Sequence, residues 1–213
     1  RKHGCRIHYF STILLLYKLT NNCLAQKKEG ALIYINNIIP VFFTEFASHT
    51  SDGSDLPLWA RRINDLALST IETMAYPGFD DISASIIPAL FPERGELVLR
   101  KTTAGTLSST DLDTHLSSLE VGSVVVCGVN TDVCVGQTAR ELADRGYDVV
   151  IVEDGCATLS PAAHQATLET FGVVFGQARS ADEIIGELGG ATRQAVWFVR
   201  FSHWTHSVHT PLN

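Results

Sequence analysis

The sequence predicts an α/β protein built on a parallel sheet with helices on both faces. Three observations carry this. Six apolar, β-rich runs alternate with helical patterns along the chain, and such alternation builds parallel sheets through helical crossovers. The run at residues 123–129 (SVVVCGV) is apolar at nearly every position, as a central strand covered on both faces must be. The 213 residues suit one domain with appendages, and a compact chain of that size buries roughly 70% of its unfolded surface.

The elements follow in order. Residues 12–17 (TILLLY) read as a buried strand. Residues 38–44 (IIPVFFT) read as a second, starting properly after Pro40, which cannot donate to a ladder. Residues 57–73 have amphipathic helical spacing. Residues 96–100 (ELVLR) are a third strand, residues 111–119 a helix and residues 123–129 the fourth strand. A helix over 131–145 is expected, with Thr131 as N-cap and Gly146 just past its end. Residues 148–153 (DVVIVE) are a fifth strand. Ser160 and Pro161 provide a cap and a first helical position, and Gly172 is expected to close that helix. Residues 172–175 (GVVF) are expected as a short sixth strand, and residues 181–188 as a last helix. Residues 1–190 then form a single domain whose first 37 residues diverge from the pattern, and 191–213 read as a C-terminal tail.

Composition narrows the function classes. Lys and Arg number 16 and Asp and Glu 23, a net charge of −7. An acidic chain is a poor general partner for nucleic acid or an anionic membrane. No apolar run approaches the ~20 residues needed to span a bilayer. Hydrophobic content of 45% and a mean hydropathy of +0.12 argue against disorder. The five cysteines (Cys5, Cys23, Cys127, Cys134, Cys156) are odd in number and show no C-x-x-C spacing. They predict neither a disulfide framework nor a zinc ribbon, and a reduced, cytoplasmic setting. The basic start and the apolar residues 13–17 faintly resemble a secretory leader, but the run is short, Lys18 ends it and no A-x-A site follows. Without G-x-G-x-x-G or a P-loop, no nucleotide cofactor is expected. His203, His206 and His209 would share one helical face, but with no acidic or Cys partner nearby no metal is expected there.

The sharpest segment is VVVCGVNTDVCVGQTARELADR, residues 124–145. A buried strand runs through a tight turn straight into a helix. With Thr131 as cap, Cys134 falls at the third helical position. Free N–H groups and the positive helix end there favour a thiolate. Open α/β sheets bind ligands beyond the carboxyl ends of their strands. The turn at Asn130 and Val133 could also hold the oxyanion of a tetrahedral intermediate. Position alone still favours the plainer alternative, that Cys134 is an ordinary buried small residue.

The run GVNTDVCVGQTARELADRGYDVVIVEDGCATLS resembles the core signature of the isochorismatase-like cysteine hydrolases. KTTAGT at 101–106, with SSTDL at 108–112, resembles their lysine motif, and Phe43-Thr44 with Asp52-Gly53-Ser54-Asp55 resembles the end of their second strand and its loop. The likeness covers roughly residues 38–188 and fades toward both ends. It implies a three-layer, Rossmann-like sandwich on a six-stranded parallel sheet. It implies Cys134 as nucleophile, Lys101 as active-site lysine and a cis peptide between Val129 and Asn130. It implies a mostly structural Asp154, a small-molecule substrate, no cofactor and self-association. Phe46 and Trp59 would line or cover the pocket, although periodicity equally allows Trp59 to be the anchor of an amphipathic helix.

One position departs from the family pattern. The family carries an Asp at the end of its first strand, and alignment of residues 13–22 puts Lys18 there. An ammonium cannot take a thiol proton as a carboxylate does. Residues 1–28 contain no acidic side chain, leaving Glu29 and Glu45 as weak substitutes. The region at 44–49 (TEFASH) lacks the Asp-x-His spacing with which nicotinamidases bind zinc. The expected function is a cofactor-free cysteine hydrolase of an amide, ureide or related C–N bond. The alternatives are a vinyl-ether hydrolase of isochorismatase type, which Cys134 tilts against, and a catalytically degenerate member, which Lys18 favours.

Overall fold

The computed structural model describes residues 11–17, 40–86, 90–92 and 94–187. Among them lie β1 (Ser11–Tyr17), β2 (Val41–Phe46), β3 (Leu97–Lys101), β4 (Ser123–Val129), β5 (Asp148–Ala157) and β6 (Gln177–Arg179). The helices are α1 (Leu58–Ile71), α2 (Leu112–Ser118), α3 (Gly136–Asp144), α4 (Pro161–Val174) and α5 (Ala181–Glu187).

Parallel pairing forms in two blocks, β2 with β3 and β4 with β5 and β6. β1 lies between them, in the order β3-β2-β1-β4-β5-β6, and runs antiparallel to both neighbours. The expected all-parallel six-stranded sheet is therefore corrected. The run TILLLY asks for burial on both faces but carries nothing that fixes its direction. Ser11 sits opposite Glu45 and Tyr17 opposite Ser123, so the chain leaves β1 at the end of the sheet where β4 begins.

Both faces of the sheet are covered. The pleat sends Val124 and Val126 to one side and Val125 and Cys127 to the other. The first core joins Phe42 and Leu99 to Leu112 and Leu116 of α2, Leu142 of α3 and Phe171 of α4. The second sets Phe43, Val125 and Val152 against Ala181 and Ile184 of α5 and against Ile86 and Leu90. Burying each such Leu, Ile or Phe is worth roughly 1.5–3 kcal/mol. α1 is attached by a third core, in which Ala60 packs with Phe46, Leu56, Ala75 and Tyr76, and by the buried Asn64. Its amide donates to the Tyr76 carbonyl at 3.0 Å and accepts from the Tyr76 N–H at 2.7 Å.

Two boundaries differ from the sequence reading. Residues 172–174 belong to α4 and not to a strand, and β6 follows at 177–179. The buried Leu168 and Phe171 keep the helix going through two valines that would favour a strand locally. The helix ends at Val174, and the chain then passes so close to β5 that a Cβ at Gly176 would fall 2.3 Å from the Val149 carbonyl, so glycine is needed there. β5 runs on to Ala157 through a register shift beyond Ile151. Within that shift, Asp154 accepts the Ala181 N–H at 2.8 Å at the start of α5.

Candidate active site

The carboxyl ends of β2, β3 and β4 bring the predicted residues together. Phe46, the last residue of β2, pairs with Lys101, the last of β3. β4 ends at Val129, and the Val129–Asn130 peptide is cis. Residues Thr131–Val135 form a wide, π-type turn, with the Asn130 carbonyl accepting from both Val133 N–H and Val135 N–H at 3.1 Å. Regular helix begins only at Gly136, which corrects the expected helix capped by Thr131. The Thr131 hydroxyl is instead 2.8 Å from Nδ1 of His164 on α4. The N–H of Val133 serves this turn and does not stand open toward a ligand, so its expected oxyanion role is not supported by the geometry.

Cys134 and Lys101 are almost fully enclosed, at 2% and 1% exposure. The Lys101 ammonium donates to the carbonyls of Thr103 at 3.0 Å and Ala104 at 2.7 Å and lies 5.1 Å from the centre of the Phe46 ring. Burial pushes Lys101 below the ordinary lysine value, while the charges of Cys134 and Glu141 pull it back up. The other two described cysteines are Cys127 and Cys156. Burial pushes Cys127 up to about 12, and burial with Cys127 alongside pushes Cys156 well up.

An aromatic group closes one side. Phe46, 1% exposed, stacks on Trp59 at 5.8 Å and meets Tyr76 edge-on at 5.0 Å. Trp59 also meets Tyr76 edge-on at 5.6 Å. Trp59 thus lies in the first turn of α1 and stacks on the ring that the Lys101 ammonium approaches to 5.1 Å.

Other candidates fall away. Glu45 pairs with Arg100 at 3.5 Å and accepts the Ile86 N–H at 3.2 Å. It is one residue out of phase with Phe46 and Lys101, hence on the opposite face of the sheet. Lys18 and Glu29 lie outside the described residues, as does the His203–His206–His209 tail. The strand before Lys18, however, ends at Tyr17 beside Ser123, at the far end of β4 from Cys134. Among the described residues, no three His, Cys, Asp or Glu side chains gather as a metal site and no helix is long and apolar enough to cross a membrane.

Sequence reasoning missed a second ring of residues. Thr138 and Glu141 of α3 reach the loop after β3. The Thr138 hydroxyl meets the Thr106 N–H at 3.1 Å and its hydroxyl at 3.0 Å. Glu141 accepts from the Leu107 N–H at 3.0 Å and from the Ser108 hydroxyl. The signal was present as the i, i+4, i+7 spacing of Cys134, Thr138 and Glu141.

A three-layer α/β fold with a cysteine in the turn after a central strand and a buried lysine beside it defines a recognisable class. The isochorismatase domain family matches residues 25–183, and the chain belongs to that family. YwoC, an isochorismatase family protein of Bacillus subtilis, is 30% identical over 105 residues, 49% of this chain and 56% of YwoC. The N-carbamoylsarcosine amidase of an Arthrobacter species is 26% identical over 151 residues, 69% of this chain and 54% of that protein. The crystal structure of a cysteine hydrolase from Pseudomonas syringae pv. phaseolicola has a TM-score of 0.62 at 25% identity, over 75% of this chain and 78% of that one. The chain spans about half the length of the curated relatives it matches.

Proposed function

We propose that the chain is a cysteine hydrolase of a small-molecule amide or ureide, acting through a Cys134 acyl-enzyme and needing no cofactor. The observation that carries this is that Cys134 and Lys101 are both enclosed at or just past the carboxyl ends of their strands, with the Cys134 side chain among the groups that hold the Lys101 ammonium charged against its burial. The resemblance to an N-carbamoylsarcosine amidase supports the C–N bond as the bond broken. The thiolate attacks the carbonyl carbon, the C–N bond breaks and the leaving nitrogen takes the proton that the thiol gave up. Water then cleaves the thioester, releasing the acid and restoring the thiol. Lys101 balances the charge of the thiolate and of the developing oxyanion. The aromatic group of Phe46, Trp59 and Tyr76 on the Lys101 side supplies an apolar, polarisable surface of the kind that suits a small amide or ureide. A cytoplasmic setting and self-association belong to the same reading.

The test is a panel of small amides and ureides with the wild type and Cys134→Ala. Turnover by the wild type and a loss of at least about a thousandfold in the variant are expected. One observation favours a second reading, ligand binding without turnover. In the sequence, Lys18 stands where the family pattern carries its first-strand Asp, and an ammonium cannot take a thiol proton as a carboxylate does. Panel-wide inactivity together with retained ligand binding would select it.

A further inference from the structure

The Lys101 ammonium is held by two main-chain carbonyls, those of Thr103 and Ala104. Those carbonyls belong to a loop that could adopt many shapes, so something must fix it. Its start is tied internally: the Ser109 hydroxyl accepts from the N–H groups of Thr102 at 3.2 Å and Thr103 at 3.3 Å. The Thr103 hydroxyl donates to the Gly105 carbonyl at 2.7 Å. Its far side is gripped from α3. The Glu141 carboxylate accepts from the Leu107 N–H and the Ser108 hydroxyl, and it lies directly against Gly105, where a Cβ would fall 2.3 Å from the carboxylate carbon. Thr138 holds Thr106 one turn earlier on the same helix. The helix that follows the cysteine turn therefore also shapes the loop that presents the lysine.

We propose that Glu141 is a positioning residue: its carboxylate clamps residues 105–108 and so fixes the Thr103 and Ala104 carbonyls, and with them the Lys101 ammonium, at the Cys134 sulfur. The inference rests on the reading of Cys134 and Lys101 given above and extends it to a residue that touches neither sulfur nor substrate. The titratable groups acting on Lys101 are Cys134, from the turn, and Glu141, from α3. The carboxylate thus works in two ways, by shaping the loop and by its charge. Glu141→Gln separates them in part, keeping the side-chain shape while removing the charge and one acceptor. Gly105→Ala attacks the same contact from the other side, leaving Glu141 intact but without its seat.

The experiment follows alkylation of Cys134 by iodoacetamide across about pH 5 to 10, with the labelled peptide quantified by mass spectrometry. This readout needs no knowledge of the substrate. In the wild type, Cys134 should label ahead of Cys127 and Cys156. In Glu141→Gln and in Gly105→Ala the midpoint of labelling should move to higher pH, with the rate near pH 7 falling roughly three- to tenfold. Should Gly105→Ala fail to fold, Ser108→Ala, at an exposed position, takes its place with a smaller shift in the same direction. A midpoint unmoved in the variants, with Cys134 still labelled first, overturns the role of Glu141 and leaves the cysteine reading standing. A wild type in which Cys134 labels no faster than the other two overturns both.

Discussion

Lys101 spends its charge inside the protein, between two carbonyls, an aromatic ring and a thiol. Lys101→Met keeps the apolar stem and removes the ammonium. A loss of about a hundredfold in kcat/KM is expected, read on the best substrate from the amide and ureide panel, with the Cys134 labelling midpoint moving to higher pH. Cys134 and Lys101 could be singled out in the sequence only because GVNTDVC and KTTAGT resemble motifs of the family, since position alone favoured a plain buried cysteine and a surface lysine. Glu141, Thr138 and His164 could not, because each finds its partner more than 30 residues away: Leu107, Thr106 and Thr131. Glu45 shows the reverse. It looked near the site in sequence, and the two-residue pleat turned it to the other face.

Elements with strong punctuation were legible almost to the residue. β4 spans Ser123–Val129 as read, and α4 opens with Ser160 and Pro161. The Ser160 side chain accepts the Ala163 N–H at 3.2 Å. Ser160→Ala should cost about 1 kcal/mol, a fall in Tm of roughly 2–4 °C for a chain of this size in a thermal melt. The end of the same helix was misread, since its valines favour a strand and only the packing of Phe171 decides otherwise. The loop after β2 gives a pH effect. Burial alone would raise Asp55, but the Ser48 hydroxyl, the His49 N–H and the Thr50 hydroxyl outweigh it, so its carboxyl is held below the ordinary value. Its contribution is present above the ordinary carboxylate range and is lost as pH falls through the lowered value. Asp55→Asn should therefore melt below the wild type at neutral pH, with the gap closing in melts at about pH 2.

At the scale of the molecule, the layered α/β arrangement was legible because burial on both faces leaves a long apolar run, and because helices fill the intervals between strands. Strand direction was not, since TILLLY reads alike from either end. The core that joins the layers gives a direct test of this packing. Leu142, fully buried on α3 among Phe42-side core residues, should cost about 2–5 kcal/mol as Leu142→Ala, by the transfer and cavity terms together, measured by urea unfolding. The aromatic trio beside Lys101 has a practical consequence. Trp59 lies within 6 Å of the Phe46 and Tyr76 rings, with 36% of its surface open to solvent. A guest arriving over Phe46 would change the polarity and quenching around that indole, so the molecule carries its own optical gauge of occupancy, readable by emission titration before any turnover is found.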